Sequence, residues 1–567
     1  MLDSHLDANF NTEGGVLTPR YLAQLKFVRQ KAVEENSQFR FNRLFRIIKD
    51  PAIWIAAYGK ISKNKGAFTA GITGETIDGT SIEWLKDIQR DVLDGSFRWG
   101  DVKRVYIKKP DGSKRPLGLP EFKDRLVQEV IRIILENIYE PNFSENSHGF
   151  RPKKSCHTAL RLVRKTFVGA NWVIEGDINK FFDRVDHEIL LKLLRRKICD
   201  YSLLRLIERG LRARVLMPEG NIVKISEGTP QGGVLSPLLA NIYLHELDIF
   251  IEKLQKSFTK GVKKQPDLEF YKYKRQGMKA SQIRHRFHLK DSYQFDENFK
   301  RLYYVRYADD FMIAIGGSKK DADKVFSLVN SFLETIKLEL SPTKTLITNA
   351  SKKRVLFLGY SITWPNIHYQ LKVHGKVRAA ERRIIKLSIP KSLIRSKLYA
   401  SNFCDMRGWS QPNFWFLHQT QYLTNERARS LLVGLNQYYK LANNRKEGIT
   451  YAAYIVRFSL AKMYAAKFRL HSVKKVFKAG GKYLNKPIGK SGHGAIDNNL
   501  TLWRIGRGIR DSDIPKIPYA LYKEVPRPDY RFKAEETESP KDLSEIFKDI
   551  QKFYDRGTRI FYSRLIS

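Results

Sequence analysis

Two adjacent acids stand in the middle of an otherwise apolar and aromatic stretch: Leu302 to Ile315 reads LYYVRYADDFMIAI, with Asp309 and Asp310 at its centre. The β-branched and aromatic runs on either side predict a strand-turn-strand hairpin carrying the acids at its tip. Acidic turns are common for solubility alone, so the pair by itself requires no chemical role. A third acid changes the reading. Trp172 to Asp177 (WVIEGD) is a short apolar strand ending in a carboxylate, followed by Ile178 to Asp183 (INKFFD) and a helix beginning near Asp186. If these strands are sheet neighbours, Asp177, Asp309 and Asp310 meet at one edge, where their repulsion must be neutralised. Divalent cations would do so. Oxygen-only ligands favour Mg²⁺, which takes one or two protein carboxylates plus substrate phosphates. Two such ions about 3.5 to 4 Å apart would activate a primer 3′-hydroxyl and stabilise departing pyrophosphate during in-line attack.

The elements that must position these acids lie between about residues 100 and 365, where short β-type runs alternate with longer helical patterns in a mixed α/β domain. Ala322, Val325, Phe326, Val329, Phe332, Leu333 and Ile336 recur at three- and four-residue steps, a core-facing helix stripe. Lys108, Lys109 and Arg115 flank a Pro110-Asp111-Gly112 turn and would gather their cations on one hairpin. Residues 249–300 interrupt the domain with Lys and Arg between aromatics, as suits either an RNA-facing insertion or a flexible charged loop. Residues 1–95 read as an N-terminal extension of helices and loops, with a helix over Pro51 to Ile61 and a turn-rich stretch after it. Beyond 366 the pattern is helical, most strongly over Ala428 to Leu441 and Tyr451 to Leu470.

The 567 residues are too many for one compact core, and 42% hydrophobic with 12% aromatic content marks a folded chain of several domains. Lys+Arg exceed Asp+Glu by 43, a surplus that self-repels in a compact fold and makes nucleic acid the leading partner. No apolar run is long enough to span a membrane, and no secretion or transit signal is expected at the start. Cys156, Cys199 and Cys404 are too scattered for structural zinc or disulfides.

Tyr307-Ala308-Asp309-Asp310 resembles the YxDD box of reverse transcriptases, and Asp177 sits where their first palm motif has its metal ligand. Between them lies Gly228 to Pro237 (GTPQGGVLSP), in the family's order. Further likeness appears at Arg115 to Pro120 (RPLGLP), Ser147 to Pro152 (SHGFRP), Ser341 to Thr345 (SPTKT) and Phe357 to Tyr360 (FLGY). The resemblance implies an α+β fold: right-hand fingers and palm (96–365), an α-helical thumb or maturase domain X (366–480), and a small basic C-terminal region (481–567). It also implies two Mg²⁺ ions at Asp177, Ile178, Asp309 and Asp310, with Lys108 and Arg115 on the incoming triphosphate. Gln231 would lie against the nucleotide and template base, and Lys344 would protonate departing pyrophosphate. Phe182, or its neighbour Phe181, would be the aromatic gate that excludes a ribose 2′-hydroxyl.

Gly434 to Tyr439 (GLNQYY) and Tyr454 to Phe468 (YIVRFSLAKMYAAKF) resemble group II intron proteins in particular. That family binds its host intron RNA through this region and the N-terminal extension, helps it splice, and supports homing by target-primed reverse transcription. The implied partners are group II intron RNA, an RNA template with DNA or RNA primer, dNTPs and target DNA. Arg457, Lys462, Lys467, Arg469, Lys474, Lys475 and Lys478 would form a basic surface for RNA phosphates; ordinary helix solvation is the plain alternative. No cysteine follows Cys404, so the HNH nuclease of many relatives is not expected. The first part of the tail after 480 is expected to bind DNA. An organelle is the expected location, mitochondrion or chloroplast, with a bacterial cytoplasm as alternative. A splicing-only maturase and a reverse transcriptase detached from any intron are the rival readings.

Overall fold

The computed structural model describes residues 19–488, apart from 35–38, 109–111, 113, 225–226, 230–231, 290, 294–295 and 374–375. The C-terminal region expected from 481 therefore lies outside the described residues beyond Ile488.

Three helices form the described part of the N-terminal extension: α1 (Arg20–Glu34), α2 (Pro51–Ile61) and α3 (Ile82–Asp94). Asp50 caps α2 through the Ala52 N–H, with Pro51 in the first turn, and its other oxygen accepts the Tyr21 N–H of α1. The fingers hairpin follows, β1 (Val102–Lys108) against β2 (Lys114–Leu119), then the long α4 (Phe122–Tyr139). Both α1 and α2 pack on α4. At its start the Glu121 carboxylate accepts the Thr73 N–H and hydroxyl, tying the glycine-rich stretch down. The extension thus shares one hydrophobic core with the fingers and palm.

After α5 (Cys156–Thr166) and β3 (Trp172–Asp177) come α6 (His187–Lys197), α7 (Tyr201–Leu211), the short β4 (Val215–Leu216) and β5 (Ile222–Val223), and α8 (Ser236–Phe258). The insertion begins inside α8, which continues to Phe258. It is itself folded into α9 (Leu268–Arg275) and α10 (Ala280–Phe287). Phe270 is buried and Tyr273 stacks on Phe287 at 4.2 Å, so several of its aromatics face each other instead of solvent.

The expected hairpin is β6 (Arg301–Tyr307) and β7 (Asp310–Gly316), followed by α11 (Lys319–Thr335) and β8 (Leu346–Asn349). The palm sheet runs β6-β7-β3-β8, all antiparallel. Along β7, Phe311, Ile313 and Ile315 join the core that includes residues of α8 and α11, whereas Met312 and Ala314 join a second core with α5 and the C-terminal helices. Period-two alternation therefore makes this sheet a wall shared by two cores.

The stretch from 366 is a correction. It was expected to be helical, yet β9 (Val355–Phe357), β10 (Tyr360–Thr363), the hairpin β11 (Asn366–Val373) and β12 (Lys376–Arg383), and β13 (Lys386–Ser388) precede α12 (Lys391–Ala400). The alternation in NIHYQLKV has the period of a strand. The helical part then comprises α13 (Gln421–Tyr438), α14 (Arg445–Lys467) and α15 (Val473–Gly480). No described helix is long and apolar enough to cross a membrane.

One polar group sits in the middle of this packing. Arg306 of β6 is fully buried and donates to both carboxylate oxygens of Asp248 on α8, at 2.8 and 2.6 Å. It also donates to Asn241 Oδ1, the Ala308 carbonyl and Ser147 Oγ. Burial alone would raise the Asp248 carboxyl, but the guanidinium outweighs it and holds the group down at about 2. Removing one partner leaves the other charge buried and unpaired. Arg306→Ala or Asp248→Ala is expected to cost about 3 to 5 kcal/mol in urea or thermal unfolding; a loss well under 1 kcal/mol would contradict the buried-pair argument.

Candidate active site

Strand register brings the acids together. Asp177, the last residue of β3, pairs directly with Asp310, the first of β7, and Tyr307 pairs with Asp310 across the hairpin. Directly opposed residues in antiparallel strands have Cβ atoms about 4.5 to 5.5 Å apart. Asp309 lies in the two-residue turn, where Ala308 adopts φ +58°. The turn rests on Gly149: a Cβ there would come within 2.3 Å of the Ala308 nitrogen, and the Gly149 carbonyl is held by Asn241. One pair back, Gly176 faces Phe311, whose ring fills the space a side chain would need.

Crowding shows in the acid–base behaviour. Asp309 is raised by burial and then by Asp177, and Asp310 is pushed up to about 7 by burial, Asp309 and Asp177. Lys344 Nζ donates to Asp177 Oδ2 at 2.9 Å, and that bond holds the lysine above its ordinary value. The SPTKT turn is delivered by backbone bonds: Ser341 N–H to the Asp177 carbonyl, and Thr345 N–H to Ser341. Among the described residues no three His, Cys, Asp or Glu side chains form a ready metal cage. The oxygen-only donors, with Asp309 and Asp310 raised above their ordinary values, nevertheless fit a hard cation completed by substrate phosphates.

Ile178 has a buried hydrocarbon side chain and can offer only its backbone carbonyl. Arg115 on β2 is exposed, and its charge reaches Asp309. Lys108 ends β1 opposite Lys114, but its side chain lies outside the described residues, as do Lys109 and Gln231. The described residues on either side are held: Thr229 N–H bonds the Phe182 carbonyl, Val234 N–H bonds Gln128, and Gly232 (φ +123°) lies against the Gly118 carbonyl. Phe181 and Phe182 are both buried in the core; Phe181 packs against Tyr243, and Phe182 also meets the exposed Phe150 edge-on at 6.4 Å.

Phe150 is a residue that the spacing arguments missed. It is 53% exposed and holds φ +56°, a strained conformation for a bulky side chain. Its neighbours pin it there, since Arg151 donates to the Ser144 and Ser147 carbonyls and to Glu140. The SHGFRP motif flagged the segment, but backbone sign is not readable from residue type.

In the C-terminal helices, Lys462 and Lys467 donate to the Ser410 and Gln419 carbonyls, and Arg457 lies over Phe458 and Tyr483. Arg469, Lys474, Lys475 and Lys478 are exposed.

A palm sheet with three acids at one edge and a lysine on the first of them is the framework of a nucleotide-polymerising enzyme. Residues 107–362 match the family described as reverse transcriptase (RNA-dependent DNA polymerase), and residues 382–500 match type II intron maturase. The chain is 37% identical over 470 residues to the group II intron-encoded protein LtrA of Lactococcus lactis subsp. cremoris, covering 77% of each. It is 32% identical over 497 residues to the putative COX1/OXI3 intron 1 protein of Saccharomyces cerevisiae, covering 84% of this chain and 59% of that one. It is 27% identical over 543 residues to nuclear intron maturase 2, mitochondrial, of Arabidopsis thaliana, covering 84% and 72%. These features define a reverse transcriptase. The chain belongs to the group II intron-encoded reverse transcriptase and maturase family. It is an RNA-directed DNA polymerase that requires a divalent metal and also serves intron splicing, with intron RNA and nucleic acid substrates as partners.

Asp310 binds its proton more tightly folded than unfolded, so without metal it lowers stability progressively as pH rises from its ordinary value near 3.8 to about 7. A cation needs the ionised form. The affinity of the full-length protein for Mg²⁺ or Mn²⁺ is expected to climb up to about tenfold per pH unit below pH 7 and to level off above it. Calorimetric titration between pH 6 and pH 8 reads this directly, and a flat profile would contradict the crowding of the three acids.

Proposed function

We propose that Asp177, Asp309 and Asp310, with the Ile178 carbonyl, hold two Mg²⁺ ions, and that the chain extends a DNA or RNA primer on an RNA template with dNTPs. The observation that carries this is the pairing of Asp177 with Asp310, with Lys344 bound to the former. When bound, the ions supply the charge that activates a 3′-hydroxyl and steadies leaving pyrophosphate. Each protein group has a part in this reading. Arg115 and Lys108 neutralise the triphosphate at the fingers hairpin. Lys344 leaves Asp177 as the carboxylate is taken by a cation, and its exposed ammonium then donates a proton to the departing phosphate oxygen. Phe182, backed by Phe150, lies against the sugar and excludes a 2′-hydroxyl, while Gln231 lies against the base.

The second role uses residues 1–95 and 366–480 to hold the intron RNA, with Arg457, Lys462, Lys467, Arg469, Lys474, Lys475 and Lys478 on its phosphates. Retrohoming into a DNA target follows, with the region from 481 on that DNA. We assign the gene to an organelle intron, with a bacterial cytoplasm as the alternative. Relatives include mitochondrial proteins of Marchantia polymorpha and Arabidopsis thaliana as well as the bacterial LtrA.

Primer extension on an RNA template tests the polymerase site. Asp309→Asn is expected to reduce dNTP incorporation by roughly a thousandfold or more while leaving intron RNA binding intact. Wild-type protein that splices but never extends a primer would reduce the chain to a maturase. For the RNA surface, ten phosphate contacts give a slope of roughly −7 to −9 in log K against log salt, and a flat dependence would remove the basic-surface reading.

A further inference from the structure

The loop between α12 and α13, residues 401–420, holds large apolar side chains out in water. Trp409 and Met406 are each 73% exposed, Trp415 is 66% exposed and Phe414 is 53% exposed. Aromatic surface presented this way marks an interaction site far more often than a flaw in packing. The loop is not loosely held. Phe403, Cys404, Asn413 and Phe416 are buried beneath it, and Asn413 Nδ2 donates to the Ser401 carbonyl at 2.9 Å. Trp409 closes a tight turn on Asp405: its N–H meets Asp405 Oδ1 at 2.8 Å, and its carbonyl accepts the Asp405 N–H at 2.9 Å. Gly408 makes that turn with φ +94° and lies against Tyr451 and Arg395. Lys462 and Ser459 of α14 hold the carbonyls of Ser410 and Gln411 from below. The backbone under both tryptophans is therefore already ordered, which lowers the cost of meeting a flat ring.

The charge around them selects the occupant. The Arg427 guanidinium lies 5.1 Å from the Trp415 ring centroid, and Arg395 and Arg407 are exposed beside the Trp409 turn. Asp405 is the one acid in residues 401–420, and the turn amide of Trp409 already engages it. Aromatic faces framed by guanidinium groups match a flexible polyanion with planar rings. Paired RNA hides its bases inside the duplex, whereas loops and bulges splay them for stacking.

We propose that this loop is a stacking platform for unpaired RNA bases, with Trp409 and Trp415 taking base faces and Arg395, Arg407 and Arg427 taking the flanking phosphates. The proposal rests on the chain's binding of intron RNA and names the feature of that RNA which this surface reads.

Fluorescence anisotropy with the full-length protein tests it, using an unstructured RNA oligonucleotide and a blunt RNA duplex of equal length as probes. Trp409→Ala and Trp415→Ala are each expected to weaken oligonucleotide binding by about 5- to 150-fold, the range for loss of one stacked base. Duplex binding is expected to stay within about twofold, because a duplex keeps all but its terminal base faces stacked inside the helix. Stacking releases no counterions, so the salt slope is expected to be unchanged in the tryptophan variants, whereas Arg407→Ala lowers it by about 0.7. Trp409→Tyr and Trp415→Tyr keep a ring and retain most of the affinity, which separates stacking from misfolding. Alanine variants that bind the oligonucleotide like wild type overturn the proposal, as does an equal loss on both probes. A loss that instead tracks dissociation of a dimer, or release from phosphatidylserine vesicles, assigns the loop to a protein or membrane partner and also overturns it. Retained primer extension in the same variants keeps this outcome distinct from failure of the polymerase site.

Discussion

A salt bridge sealed from water underlies the geometry of the acid site. Arg306 emerges from the strand that enters the hairpin and reaches Asp248 on the long helix behind it, Ser147 in the segment that supports the turn, and the carbonyl of Ala308 in the turn itself. A buried ion pair of this kind contributes little net stability compared with well-packed apolar residues, yet it tolerates almost no displacement of either partner. That intolerance is what a crowded carboxylate cluster needs. Three acids repel, and a hairpin free to bend would move Asp309 and Asp310 away from Asp177. Here the hairpin base is bonded to a helix and its tip lies on the backbone of Gly149, so burial and, after it, the neighbouring acids raise the pKa values of Asp309 and Asp310 while the hairpin stays in place.

Lys344 meets part of the same repulsion from within the chain. Its ammonium neutralises Asp177 while remaining largely exposed at its own end. Such a group is a removable counter-ion: strong enough to hold the cluster together, and wet enough to leave when a better cation arrives. The turn that carries it is bonded to the backbone of Asp177, so the lysine stays within reach of the carboxylate after letting it go.

Because the palm sheet is shared by two cores, polymerase and maturase parts are coupled through common side chains. Tyr438 of α13 hydrogen-bonds the Leu358 carbonyl, and its own carbonyl accepts from Tyr360 and meets His157 of α5. The GLNQYY motif that resembles intron proteins is therefore also the seam along which the helical part joins the palm. Its tyrosines, Tyr438 and Tyr439, are raised by burial, as expected of hydroxyls placed in a packed joint.

Much of the site is legible in the sequence alone, for a local reason. WVIEGD and LYYVRYADDFMIAI have strand composition, and each sets an acid at a strand end, so neighbouring strands were enough to bring the acids together. The core stripe of α11 and the helix start near Asp186 follow equally local rules of periodicity and capping. Residues 366–383 form a hairpin because Asn366–Val373 alternates with period two and pairs with the strand after it, whose own sequence carries no such alternation. The partners of Arg306, the left-handed backbone of Phe150 and the outward tryptophans of 401–420 leave no mark on the sequence. The buried charge and the acid turn depend on what lies across the fold: Asp248 is 58 residues from Arg306, and Gly149, next to Phe150, lies against the Ala308 turn more than a hundred and fifty positions later. Residue types and short-range spacing determined the chemistry available to this chain. Tertiary packing alone decided which charges are buried, which backbone is strained and which rings face water, because those properties belong to neighbours brought together only by folding.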